Sequence, residues 1–127
     1  MTDLRSPAAR VRGLGSAKEG VSHWWTQRVT AVALVPLSLW FVWGVVTHIH
    51  QPADVVSAWM GQLHVAVPMI LFLLAVFWHA ALGLQVVIED YVHCACARTA
   101  SLVFVKLACI GLAVTGVVSV LKILFQS

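Results

Sequence analysis

Residues 65–88 read VAVPMILFLLAVFWHAALGLQVVI, with no Asp, Glu, Lys or Arg among them. At 1.5 Å per residue such a helix is about 36 Å long, enough to cross a hydrocarbon core of roughly 30 Å. The stretch therefore predicts a membrane span, with Pro68 in its first turn, where a missing N–H costs little. Outward from it, Val29 to Ala53 is a second neutral run, and Leu107 to Leu121 is the centre of a third. The predicted spans are 29–47, 65–88 and 99–125. Only helices and closed barrels satisfy the backbone in lipid, and these runs are too continuous for barrel strands. The fold class is an all-α membrane protein with three transmembrane helices.

Composition agrees. The chain has 127 residues, 61% hydrophobic and 10% charged, with a mean hydropathy of +0.92. A soluble domain carries about a quarter charged residues, so a water-soluble globular fold is excluded. The net charge of +3 is concentrated at one end. Arg5, Arg10, Arg12, Lys18 and Arg28 outweigh Asp3 and Glu19, whereas Arg98, Lys106 and Lys122 balance Asp54, Glu89 and Asp90. No basic patch interleaved with aromatics accompanies this charge, so no nucleic-acid partner is expected. The positive-inside rule places the N-terminus inside, the loop near 50–64 outside, the loop near 89–98 inside and the C-terminus outside, with Lys122 a mild exception.

Residues 1–22 read as a mobile basic N-terminal arm, and 23–127 as the three-span domain. The first apolar run exceeds the 7 to 15 residues of a signal-peptide core. Asp3 and Glu19 argue against a mitochondrial presequence, so a bacterial inner membrane is preferred to the mitochondrial one. Trp24 and Trp25 precede span one, with Trp40 and Trp43 in its outer half, as expected of aromatics at headgroup depth. Pro36 should kink that helix or free a carbonyl. In span three, Ser101, Ala108, Gly111, Thr115 and Ser119 form a stripe of small residues of the kind that packs helices closely in lipid.

Of six histidines, His79 alone is deep, 14 residues into span two and 9 from its end. An ionisable residue at such depth needs a partner. Three readings follow: a neutral histidine hydrogen-bonded to a neighbouring helix, a haem ligand, or a proton relay. Gly83 and Asp90 share its stripe at 100° per residue, with Tyr91 next to Asp90. Asp90 lies about 16 Å nearer the inner face than His79. A low-spin haem takes two axial ligands, and no second histidine of the chain lies at this depth, while Met69 and Met60 lie further out. A haem held by His79 would then sit at a subunit interface. His93, Cys94 and Cys96 fall one short of the four ligands of a closed metal site, and read as loop residues with reduced thiols.

The string His79-x-x-x-Gly83-x-x-x-x-x-x-Asp90-Tyr91 resembles the signature of the small hydrophobic membrane-anchor subunits of the bacterial succinate dehydrogenases, respiratory complex II. Gly20-Val21-Ser22-His23-Trp24-Trp25-Thr26-Gln27-Arg28-Val29-Thr30-Ala31 is similar to the opening of the first span in that family. The resemblance covers nearly all of the chain after about residue 16. It implies half of a haem-containing anchor bundle: one haem b ligated by His79 and shared with a second anchor subunit that supplies the other ligand. It further implies Arg28, with His23 a less secure candidate, near the haem propionates, and Tyr91 and Asp90 at a ubiquinone site. The implied partners are that second anchor (cytochrome b) subunit, an iron–sulfur subunit, a flavoprotein and membrane lipid, the chain being non-catalytic alone. Alternatives are the anchor of a fumarate reductase or another b-type cytochrome, and a non-redox assembly subunit.

Overall fold

The computed structural model describes residues 20–126. They form four helices: α1 (Gly20–His48), α2 (Ala53–Met60), α3 (Leu63–Tyr91) and α4 (Ala95–Gln126). Among the described residues there is no strand, and α1, α3 and α4 are each long and apolar enough to cross a membrane. All three outrun the apolar stretches that announce them. α1 begins at Gly20, inside the stretch read as arm, and the remainder of the arm lies outside the described residues. Hydropathy marks where side chains are apolar, whereas a helix persists for as long as its backbone hydrogen bonds can form.

α3 is the central helix, packed on one side by α1 and on the other by α4. Few side chains are buried by the chain itself: Val65, Ala66, Met69, Cys109 and Val120. Ala66, Met69 and Val120 meet at the outer half of the molecule, with Trp40, Phe41, Ile70, Leu73 and Leu124 around them. Phe41 stacks on Phe72, ring centroids 4.7 Å apart, and joins α1 to α3. Gly116 lets α4 close on α3, since a Cβ there would lie 3.0 Å from the Leu73 side chain. The small-residue stripe behaves differently. Gly111, Thr115 and Ser119 are exposed, and nothing approaches within 4 Å of a Cβ built at Gly111. The close packing within the chain uses the Cys109, Gly116 and Val120 face instead.

Of the two span prolines, Pro36 behaves as expected and Pro68 does not. α1 runs unbroken through Pro36, which leaves the Val32 carbonyl without its helical donor. Pro68 is in the second turn of α3, because the helix starts at Leu63 with Gln62 as its N-cap. It therefore deprives the His64 carbonyl of a hydrogen bond, and the economy expected of a first-turn proline does not apply.

Hydropathy did not announce α2, eight residues that fold back over the outer end between α1 and α3. Its Trp59 lies against Gly44, stacks on His48 at 4.1 Å and reaches Trp40 at 6.5 Å. His48 Nδ1 donates to the Gly44 carbonyl at 2.9 Å, which holds the imidazole flat beneath the indole. Trp40 thus faces a protein neighbour, while Trp43, 72% exposed, keeps the position of a headgroup aromatic. A Cβ on Gly44 would lie 2.7 Å from the Trp59 ring. Gly44→Ala should therefore displace Trp59 and destabilise the outer end by about 1–3 kcal/mol, as overpacking does. Thermal melting of the detergent-solubilised protein measures this, and an unchanged transition would refute the contact.

Candidate functional site

Two antiparallel helices bring polar groups together near the inner half of the molecule. On α1, His23, Gln27 and Thr30 follow one stripe at spacings of four and three. On α3, His79 and Gly83 form the facing stripe. His79 Nδ1 lies 3.0 Å from Thr30 Oγ1, and His79 Nε2 lies 3.4 Å from Gln27 Nε2. Gly83 lies beside the glutamine, and a Cβ there would meet Gln27 Nε2 at 3.7 Å, an ordinary van der Waals contact. Two atoms of this stripe, His23 Nε2 and Gln27 Oε1, are buried without a hydrogen-bond partner. Such atoms carry a desolvation cost of about 1–3 kcal/mol each unless something else binds them.

Of the residues singled out from the sequence, His79 and His23 thus lie on facing stripes of α3 and α1. Arg28 is exposed on a neighbouring face of α1, its guanidinium over the Trp24 ring at 5.2 Å. Asp90 and Tyr91 are exposed at the inner end of α3, and Tyr91 closes the helix with 77% of its surface accessible. The groups that meet the His79 ring are Thr30 and Gln27, and not Arg28, Asp90 or Tyr91. Gln27 and Thr30 were missed. The available signal was depth matching: a deep histidine needs a polar partner on the next helix, and Thr30 and Gln27 stand about as far from the inner end of α1 as His79 does from that of α3. Starting span one at Val29 hid this by placing Thr30 at the membrane surface.

The cysteines stay apart from this site. Cys94 and Cys96 are exposed beside the N-terminus of α4, Cys109 is buried, and among the described residues no group of His, Cys, Asp and Glu is arranged to hold a metal ion. Between the C-terminal half of α3 and the N-terminal half of α4 lies an apolar groove of about 430 Å³ whose lining includes Lys106 and Gln85.

The fold and this site define a class: a membrane protein of three long apolar helices, with a histidine bonded across the seam between two of them and an acid–phenol pair at the C-terminal end of the central one. A sequence profile of the succinate dehydrogenase/fumarate reductase transmembrane subunit matches residues 2–120. The succinate dehydrogenase hydrophobic membrane anchor subunit of Rickettsia bellii is 33% identical over 118 residues, 93% of this chain and 94% of the relative. The succinate dehydrogenase membrane anchor subunit of Reclinomonas americana is 32% identical over 73% of this chain and 80% of its own length. The hydrophobic membrane anchor subunit of Paracoccus denitrificans is 34% identical over 68% of this chain and 67% of its own. No solved structure matches at a significant level. The chain belongs to the succinate dehydrogenase/fumarate reductase transmembrane subunit family.

The Gly83 contact is directly testable. A methyl group at Gly83 would make ordinary van der Waals contact with Gln27, so Gly83→Ala should leave the melting transition unchanged within about 1 kcal/mol. Gly83→Leu should overpack the α1–α3 seam by about 1–3 kcal/mol. Equal stability of the two variants would rule out the close approach of Gln27.

Proposed function

We propose that this chain is one half of the membrane anchor of a succinate:ubiquinone oxidoreductase in the bacterial inner membrane. It holds one b-type haem through His79 together with a second anchor subunit, and borders the ubiquinone reduction site with Tyr91 and Asp90. The N-terminus faces the cytoplasm, and on that side an iron–sulfur protein binds and connects the anchor to a flavoprotein that oxidises succinate. The named relatives favour succinate dehydrogenase over fumarate reductase, although the family includes both.

The observation that carries the reading is the state of the His79 ring. Its Nδ1 is engaged by Thr30, while Nε2 has only a long contact with the Gln27 amide. A histidine ligates a metal through one nitrogen while the other is hydrogen-bonded, and of the two contacts here the longer one, to Gln27, is the one a metal would displace. The unpartnered atoms of His23 and Gln27 add polar capacity on the same stripe, so the residues present fit a macrocycle with polar substituents. Arg28, on the neighbouring face, would hold a propionate as a bidentate cation does. A further protein ligand to such a haem would be supplied by another chain, because Met69 is packed in the core with Ala66 and Val120 and the other described histidines lie toward the helix ends or in loops. A haem bound there supplies one-electron redox capacity beside a two-electron quinone.

Quinone reduction consumes two electrons and two protons. The Tyr91 hydroxyl donates a hydrogen bond to a quinone carbonyl oxygen and stabilises the negative charge that develops on it, as an oxyanion donor does. Asp90 orients the phenol or relays protons from the inner aqueous phase. The exposure of both residues at the end of α3 leaves them open to a ligand and to a docking partner.

Two substitutions test separate parts. Tyr91→Phe should lower quinone reductase activity of the purified complex about 100-fold, the scale for losing one charge-stabilising donor, while succinate oxidation by an artificial dye stays near normal. Equal loss of both activities would indicate failed assembly and remove the assignment. His79→Ala should abolish or alter the reduced haem absorption spectrum, and an unchanged spectrum would exclude His79 as a ligand.

A further inference from the structure

Thr30 has one hydroxyl hydrogen and three neighbours. Its Oγ1 is 2.8 Å from the Thr26 carbonyl, 3.1 Å from the Gln27 carbonyl and 3.0 Å from His79 Nδ1. The two carbonyls only accept, and both lie where a helical threonine bonds back to the preceding turn. The hydrogen is therefore committed to the backbone, and toward the imidazole Oγ1 presents lone pairs alone. The proton between them must be the one on Nδ1. A neutral imidazole protonated at Nδ1 has its lone pair on Nε2, the atom facing the Gln27 amide.

We infer that Thr30 is a positioning residue for the haem ligand: it selects the His79 tautomer with Nε2 unprotonated, holds the ring plane, and strengthens the imidazole as a donor through the Nδ1–H···Oγ1 bond. The inference rests on the reading of His79 as that ligand. It also gives Gln27 a role. The amide contacts Nε2 at 3.4 Å within this chain, beside Gly83, and would have to turn aside for His79 to ligate through that nitrogen. The backbone carbonyls make the device stable, since Thr30 cannot turn its hydrogen toward Nδ1 without leaving the bonds to its own helix. Partners that bond the second nitrogen of a ligating histidine are known to fix its tautomer and raise its basicity.

A stronger donor favours ferric over ferrous iron, so losing the bond should raise the haem midpoint potential. The test is potentiometric titration and low-temperature electron paramagnetic resonance of the purified complex carrying Thr30→Val, which is nearly isosteric but offers no oxygen, with Thr30→Ser as rescue. The expected result for Thr30→Val is a roughly tenfold shift of the ferric/ferrous ratio toward ferrous at fixed poise, about 59 mV for a one-electron couple. The ferric signal should broaden as the ring is released, and Thr30→Ser should restore both properties. Thr30→Val with haem retained and with potential and signal unchanged would overturn the role. If Thr30→Val loses the haem, restoration by Thr30→Ser supports the hydroxyl, and equal loss in Thr30→Ser overturns it. His79→Ala measured in parallel separates the two levels: an unchanged haem there defeats the ligand assignment itself, whatever Thr30 does.

Discussion

Lipid offers no hydrogen bonds, and every polar group that enters it must find a partner in protein. That constraint shapes each conspicuous contact of this chain. The serine and threonine hydroxyls within the helices bond back to carbonyls of their own helix, as Thr47, Thr115 and Ser119 do. The one deep imidazole bonds across to a neighbouring helix, and its partner is a threonine that has already been satisfied by its backbone. The α1–α3 seam is thus held by apolar stacking at the outer half, through Phe41 and Phe72, and by a polar pair at the inner half. The polar pair is what makes the seam specific, because a slipped register would strand His79 in hydrocarbon.

The same constraint explains how little the chain buries. A soluble protein of this length would hide many large side chains, but here the central helix alone has both flanks covered, and residues such as Trp78, Phe104 and Leu107 face outward. In a bilayer this costs nothing, since lipid tails are as apolar as leucine. An open set of helices with mostly exposed apolar faces and two buried polar atoms left without a partner fits one member of an assembly. Membership of the succinate dehydrogenase/fumarate reductase family is consistent with that form.

Much of this was legible in the sequence. Three neutral runs of sufficient length left no other fold class, and His79 was conspicuous because charge and polarity are so scarce. Asp90 and Tyr91 were found by helical phase and close the C-terminal end of α3 in the structure. The limits of the helices were less legible, since α1 starts nine residues before the first apolar span and Pro68 falls in the second turn of its helix rather than the first. The short α2 was invisible because eight residues carry too little periodic signal, and its Trp59 is explained only by Gly44 and His48, which are distant in sequence. The stripe of small residues read in α4 left out Gly116, the glycine that closes on Leu73, because which face packs depends on rotation about the helix axis, a property that spacing alone does not set.

The sequence by itself determined that the chain lives in a membrane as three helices, that His79 sits within it, and which family it belongs to. The first two follow from composition and spacing along one chain, where each residue's depth and phase are nearly fixed by helical geometry, and the family from its likeness in sequence to known members. The tertiary structure decided which helix is central and which polar side chains meet each nitrogen of His79. Those depend on the rotation and offset of one helix against another, and in lipid that choice is made by a few close contacts such as Gly116 with Leu73 and Thr30 with His79, because the hydrophobic effect no longer favours one helix face over another.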